Sequence, residues 1–477
     1  MIYIVLFTVL LTVLLAVILV RTALFKPKKV ISVSTPDAKL DEDKVIQHFS
    51  ELVQLKTVSS INPDEMDMKV FKAFQEKLDV LYPVVTSTCQ KEFIGPTGVL
   101  YRWPGKDNHQ VTVLMSHYDV VPADETYWEK DPFSGLVEEG VVWGRGTIDT
   151  KVTLLGILES AEQLMTDGYI PDHDIYFSFT GDEEVSGPST PEIVETFKKR
   201  GITPYLVIDE GGVVLKDVFP GVHKQTALVG VGEKGYLDVE ITGTSSGGHS
   251  SAPPSKTLTG DMARMITAIE KKSMTSHLTL PVLEMFDRLG RHSTFTYKMI
   301  FGNIWLFSPV LKYLFHKQGG QMNALIRTTT AVTKLEGSKA FNVLPPKGTI
   351  GVNCRILNTD TVASTLNHLK SLSETEFEYT RIEFREASPI TPTDTKQWQL
   401  MEEVIGDMWP EAVISPYLMI AATDSRHYNR ISEHVMRFAP TAITKEELEM
   451  IHSNNERIRT DTVIECVQFY IKLIRRL

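Results

Sequence analysis

The sequence predicts an α/β protein: a sheet domain with helices on both faces, interrupted by a smaller βαββαβ unit and preceded by one apolar helix of membrane-spanning length. Three observations carry this expectation. Short β-branched and aromatic runs alternate with helical patterns between residues 44 and 226, the signature of buried parallel strands. From Gly235 the order becomes strand, helix, strand, strand, helix, strand, which is the ferredoxin-like arrangement. Met1 to Val20 contain no charged side chain and are almost wholly apolar, long enough to cross a bilayer.

The N-terminal segment comes first. A cleaved signal peptide would want a basic start, a shorter apolar region and a small-residue cleavage site; none is present, so residues 1–22 are expected to be an uncleaved transmembrane anchor. Arg21, Lys26, Lys28 and Lys29 follow it and no Lys or Arg precedes it, so the positive-inside rule puts the body of the protein in the cytoplasm. Residues 23–43, rich in Lys, Ser, Pro and Asp, read as a linker.

Residues 44–226 are expected to form the first part of a catalytic domain. It opens on a helix with Val45, Ile46, Phe49, Leu52 and Val53 at helical spacing. Four apolar runs then end in metal-type ligands. Val111–Met115 leads to His117 and Asp119, Val141–Trp143 leads through Gly144-Arg-Gly146 to Asp149, Ile175–Phe179 leads to Asp182, Glu183 and Glu184, and Pro204–Ile208 leads to Asp209 and Glu210. Open α/β sheets bind ligands at the carboxyl ends of their strands, so these acids are expected on one edge. A second amphipathic helix, with Leu154, Leu155, Leu158, Ala161 and Met165 along one face, follows Asp149.

The inserted unit is expected over residues 227–390. Its strands are Gly235–Ile241, Thr328–Leu335, Thr349–Ile356 and Tyr379–Phe384, and its helices Leu258–Lys271 and Thr361–Ser373. An apolar stretch from Ser273 to Met322, with Trp305, Phe307 and Phe315, interrupts it. Packing between subunits is the expected role, ahead of lining an acyl pocket. Residues 391–477 return to the catalytic domain with a helix over Lys396–Trp409 and a segment carrying Thr423 and His452.

The residue types point to metal chemistry. Zinc takes imidazole and carboxylate ligands, and two ions roughly 3.5–4 Å apart need a bridging carboxylate. Asp149 is the candidate bridge. Asp119, two residues beyond His117 on an extended strand, could hold that imidazole by its other nitrogen. Adjacent Glu183 and Glu184 cannot both face one metal, so one is expected to bind it and the other to act as general base. Taken singly, an acid at a strand end is more often a helix cap; the joint pattern points to a two-metal hydrolase.

Leu114–Pro122, Trp128–Gly135, Gly144–Asp149, Gly181–Glu184, Asp209–Gly212 and Gly248–Pro254 together resemble the aminoacylase and carboxypeptidase family of dinuclear zinc metallopeptidases. Within it the chain looks most like the branch holding vacuolar carboxypeptidase S and the secreted N-fatty-acyl-amino-acid synthase/hydrolase, over about residues 44–477. The resemblance implies a zinc-peptidase-like α/β/α sheet domain with an inserted lid that also serves dimerisation. It implies His117, Asp149, Glu184, Glu210 and His452 as metal ligands, with Asp209 the alternative to Glu210, and Glu183 as general base with Asp119 orienting His117. His249 would reach the active site of a partner subunit and stabilise the oxyanion, which implies a homodimer. Asn342 and Arg355 would grip a substrate carboxylate, and Thr423 would line the substrate site.

Two Zn2+ per subunit are implied, with Co2+ or Mn2+ as alternatives. The implied activity is hydrolysis of a terminal amide bond beside a free carboxylate, as in a dipeptidase or carboxypeptidase. The alternative is an N-acyl (fatty-acyl) amino acid amidohydrolase, and a minor one is an inactive membrane-anchored binding protein. Relatives in this branch work in a lumen or outside the cell, opposite to the side that the positive-inside rule indicates.

Composition bounds the rest. At 477 residues and 42% hydrophobic content the chain can bury more than one core. A net charge of −11 argues against nucleic acid as a partner. Cys89, Cys354 and Cys466 are the three cysteines and no Asn-x-Ser/Thr sequon occurs, which fits a bacterial or cytosol-facing protein better than a glycosylated secreted one.

Overall fold

The structure is a computed structural model that describes residues 1–28 and 34–477; Lys29 and residues 30–33 of the expected linker lie outside the described residues. The apolar helix α1 (Ile2–Leu24) is followed by α2 (Glu42–Val53), α3 (Met68–Leu81) and α4 (Pro83–Thr88). Strands β1 (Gln90–Ile94), β2 (Gly98–Trp103), β3 (Asp107–His117), β4 (Val137–Glu138) and β5 (Val141–Trp143) precede α5 (Lys151–Thr166). Then come β6 (His173–Thr180), α6 (Ser189–Lys199), β7 (Leu206–Lys216) and β8 (Gln225–Glu233).

The inserted unit contains β9 (Gly235–Thr244), β10 (Gly248–His249), α7 (Leu258–Lys271), α8 (Leu280–Gly290), α9 (Phe295–Gly302), α10 (Ile304–Gln318) and α11 (Gly320–Ile326). It continues through β11 (Thr329–Glu336), β12 (Val343–Leu344), β13 (Lys347–Ile356), α12 (Val362–Ser371) and β14 (Glu378–Arg385). The return segment is α13 (Lys396–Met408), β15 (Val413–Met419), β16 (Val435–Ala442), α14 (Lys445–Glu449), β17 (Arg457–Arg459) and α15 (Thr460–Ile474).

The central sheet runs β1-β2-β6-β3-β7-β16-β8-β15. β3 lies parallel between β6 and β7, β16 runs parallel to β7, and β15 runs parallel to β8. Alternation along β3 sends Leu114 to the face covered by α5 and α15, and Val113 and Met115 to the face covered by α6. Both faces are therefore dry, which is why the strands read as continuous apolar runs.

Two expectations change here. Val141–Trp143 is not a strand of the central sheet: β5 is the second arm of a hairpin with β4 and pairs antiparallel on its other edge with β17. Glu139 (φ +52°) and Gly140 (φ +74°) make the two-residue turn, whose doubly positive φ folds the strand straight back on β4. The expected boundary at residue 227 also falls inside β8, which belongs to the central sheet; the chain leaves that sheet at Lys234.

Beyond Lys234 the four-stranded antiparallel sheet has the order β11-β13-β9-β14. Leu237, Val239 and Ile241 of β9 point to one face, where Met262 and Met265 of α7 and Leu369 of α12 cover them. The apolar stretch Ser273–Met322 becomes helices α8–α11. Within this chain, Phe286, Phe301 and Phe315 pack with Phe219, Val222 and Leu418, so its inner face is part of the chain's own core. The C-terminal end of α1 docks on the same helices, with Phe25 beneath the Arg291 guanidinium at 4.5 Å.

Candidate metal and active site

The carboxyl end of β3 delivers His117, the end of β6 delivers Glu183 and Glu184, and β7 carries Glu210. Asp149 arrives from the loop after β5, and His452 from the loop between α14 and β17. His117 Nε2 lies 3.1 Å from Asp149 Oδ1 and 3.2 Å from Glu210 Oε1. His452 Nε2 lies 3.1 Å from Asp149 Oδ2 and 3.0 Å from Glu184 Oε2. The two oxygens of Asp149 thus face two different histidines, each with its own glutamate. The ligand atoms of His117, Asp149 and Glu184, and likewise of His117, Glu183 and Glu210, gather within 4.8 Å.

This donor set fits two divalent cations of the zinc type: one imidazole and one terminal carboxylate per ion, with a carboxylate able to bridge. The electrostatics agree. Burial works against charge on His117, but Glu210, Asp119 and Asp149 outweigh it and raise its pKa well above the ordinary value. Hydrogen bonds to Asp149 and Glu184 push His452 to about 10, while burial raises Glu210 to about 8. Protons here stand in for the positive charge that cations would bring.

The Glu183 carboxyl, partly buried, gathers with His117 and Glu210. Burial raises its pKa well above the ordinary value; Asp424, Glu210 and Glu184 add to that, while His117 opposes it. Asp119 positions more than was expected. His117 Nδ1 sits 3.0 Å from the Asp119 main-chain carbonyl and 3.4 Å from its carboxylate. That carboxylate accepts the backbone N–H groups of Glu183 (3.2 Å) and Glu184 (3.1 Å). One aspartate therefore fixes His117, Glu184 and the candidate base Glu183. Asp209, one residue before Glu210, is turned away and accepts the Ser425 N–H at 2.9 Å.

A second buried carboxylate ties the loops together. Glu456 accepts from the N–H groups of Gly146 (3.1 Å), Ile148 (2.8 Å) and Asp149 (3.2 Å) and pairs with Arg145 at 2.7 Å. Arg145 also donates to the Ser453 carbonyl at 2.7 Å. The Asp149 loop and the His452 loop are thereby held as one piece. Arg145 lies within the Gly144–Asp149 motif and Glu456 four residues after His452, but nothing in their spacing reveals that they meet.

The site opens into a cavity of about 790 Å³. Arg355 and Thr423 line it, and so do Lys234, Arg385 and Arg426. Arg355 and Arg385 both lie over the Tyr236 ring, at 4.7 and 5.1 Å, and the buried Arg385 Nε has no hydrogen-bond partner among the described residues. The Thr423 hydroxyl donates to Glu233 at 2.8 Å, which also receives Arg437 at 2.6 Å. Val213, Met419, Ile420, Leu448 and Ile451 supply apolar lining. His249 and Asn342 do not line the cavity. They are exposed on the small β10–β12 ribbon, joined by the Ser250 N–H to the Asn342 carbonyl at 3.1 Å.

Comparison with known proteins places this geometry. Residues 113–476 match the model described as peptidase family M20/M25/M40. The chain is 33% identical over 461 residues to the N-fatty-acyl-amino acid synthase/hydrolase PM20D1 of Xenopus tropicalis, covering 95% of this chain and 90% of the relative. It is 28% identical over 489 residues to carboxypeptidase S of Saccharomyces cerevisiae, covering 90% and 83%. The fold is shared with the M20 family metallo-carboxypeptidase Sso-CP2 from Sulfolobus solfataricus at a TM-score of 0.66 and 17% identity, covering 92% of this chain and 99% of that one.

Proposed function

Since the chain belongs to peptidase family M20/M25/M40, we propose that it is a metal-dependent hydrolase of the amide bond next to a free carboxylate, of the dipeptidase or carboxypeptidase type. The observation that carries this reading is a pair of His/carboxylate groups that share Asp149, with Glu183 gathered beside His117 and Glu210, in a cavity also lined by Arg355, Arg385 and Arg426. His117, Asp149 and Glu210 would hold one cation, and Asp149, Glu184 and His452 the other. Zinc suits these donors, and cobalt or manganese would also fit. Two such ions, held there, would supply polarisation of the amide carbonyl and acidification of a water molecule.

Glu183 takes the proton from that water as its oxygen bonds to the carbonyl carbon, then passes the proton to the amine nitrogen as the C–N bond breaks. Arg355 receives the substrate carboxylate through its guanidinium fork, and Arg385, unpartnered beside it, supplies a second donor. His249, exposed and outside its own cavity, serves the site of a second copy in a homodimer, where it donates to the oxyanion, and Asn342 on the same ribbon goes with it. Helix α1, with almost none of its apolar span buried, anchors the enzyme in a membrane.

A second reading is hydrolysis of N-acyl amino acids with long acyl chains. The apolar lining from Val213, Met419, Ile420, Leu448 and Ile451 favours it, as does the activity named for the Xenopus relative. The two readings share the carboxylate half of the substrate and differ in the acyl half. The test uses the full chain in detergent, zinc-loaded, beside Glu183→Ala, with amino-acid release followed by mass spectrometry from dipeptides and from long-chain N-acyl amino acids. Release from dipeptides supports the first reading and preference for acyl substrates the second. No release from either, with metal bound, overturns both in favour of an anchored binding protein.

A further inference from the structure

Helix α10 is apolar on both of its faces. Leu311 and Phe315 point inward to the phenylalanine cluster, while Trp305 (54% exposed), Val310 (51%), Tyr313 (63%) and Leu314 (46%) point outward. Phe295 of α9 is 64% exposed and extends the same kind of surface. A helix at a protein–water boundary carries polar residues outward, and large exposed apolar surface marks a protein or membrane contact.

The position of this surface identifies what covers it. Asn303, the residue before α10, donates through Nδ2 to the Ile18 carbonyl and to the Thr22 hydroxyl, both at 3.2 Å. Arg21 donates to the Gly302 carbonyl at 3.2 Å. Helix α10 therefore starts level with Ile18, within the last turns of the apolar helix α1, and whatever surrounds that end of α1 also reaches α10. Its residue types agree: Trp and Tyr favour the headgroup level of a bilayer, and basic side chains beside apolar ones suit a helix lying in the interface. Lys298, Lys312 and Lys317 have no carboxylate partner among the described residues, so they are free to meet anionic headgroups.

We infer that α9 and α10 form a membrane-seating surface that lies in the bilayer interface beside α1, a proposal that rests on reading α1 as an anchor. The seat adjoins the active site. Helix α11 follows α10 after Gly319, its Ala324 lines the catalytic cavity, and Lys234 donates to the Ala324 carbonyl at 2.9 Å. The substrate entrance is thus held one short helix from the lipid.

The test reconstitutes the full chain and Trp305→Phe into phosphatidylcholine/phosphatidylserine vesicles whose acyl chains are brominated, and reads tryptophan emission. Quenching that is lost in Trp305→Phe supports the seat; equal quenching in the two proteins overturns it. A Tyr313→Cys chain carrying an environment-sensitive fluorophore repeats the reading without altering Trp305, with a blue shift on reconstitution expected. Alkaline extraction reports α1 separately. A chain that resists extraction but shows no Trp305 quenching refutes the seat and keeps the anchor. A chain that is stripped off, yet whose Trp305 was quenched beforehand, refutes the anchor and keeps the seat. Disulfide formation between Tyr313→Cys chains, with Trp305 shielded from bromolipid, would assign the surface to a second copy and overturn the proposal.

Discussion

Single side chains decide what this site can hold. Glu183 and Glu184 are neighbours, yet only Glu184 touches a histidine, and the backbone that turns them apart is fixed by the Asp119 carboxylate. Arg385 has a buried nitrogen with no hydrogen-bond partner among the described residues, and a substrate carboxylate would satisfy it. Arg385→Ala is expected to raise KM roughly 10- to 100-fold, the loss of a charged hydrogen bond, with kcat little changed; steady-state kinetics on a dipeptide or N-acyl amino acid checks this. Glu456→Ala leaves the buried Arg145 without its partner and is expected to cost about 3–5 kcal/mol, read by urea denaturation. The sequence brings out His117, Asp149, the Glu183–Glu184 pair and the Asp209–Glu210 pair because each follows an apolar run or a glycine turn; the choice of Glu184 and Glu210 within those pairs rests on the family resemblance, and Glu210 is the one that here faces His117. It does not show Arg385 or Lys234, because a basic residue at the end of a strand reads as surface until the fold places it in a cavity.

Elements were legible where periodicity is strong. Helix α7 spans Leu258–Lys271 as expected, and the strands of the inserted sheet fall within two residues of the expected ends, apart from the longer tail of β9. β5 was misplaced because three apolar residues between glycine turns suit a hairpin arm as well as a buried strand. The stretch Ser273–Met322 was visibly apolar, but periodicity alone says nothing about what a helix packs against. At this scale α13 and α15 are clamped through Asp407, which accepts Lys472 at 3.1 Å and also meets Thr35 and Arg476. Burial opposes its ionisation, yet Thr35, Arg476 and Lys472 outweigh that and lower its pKa from 3.8 to about 2. A depressed folded value means stability that is full above about pH 4 and lost as pH falls towards 2. An acid titration followed by fluorescence should show this component in the native protein and lack it in Asp407→Asn.

The whole molecule joins a sheet domain that carries the candidate ligands to an inserted unit that carries His249 and Asn342 away from them. In the proposed dimer, chains with His249→Ala and chains with Glu183→Ala are each inactive, but mixing them under conditions that exchange subunits should restore part of the activity. Two mixed inactive variants that stay inactive, despite exchange shown by size-tagged chains, would assign His249 another role. The pairing of β5 with β17 has a consequence for synthesis. A ribosome releases residues in order, and the strand that sets the His452 loop against the Asp149 loop emerges long after β5, its partner. The sheet domain can start to assemble on the ribosome, but in the proposed mechanism the nascent chain lacks its second cation seat until that ribbon has closed.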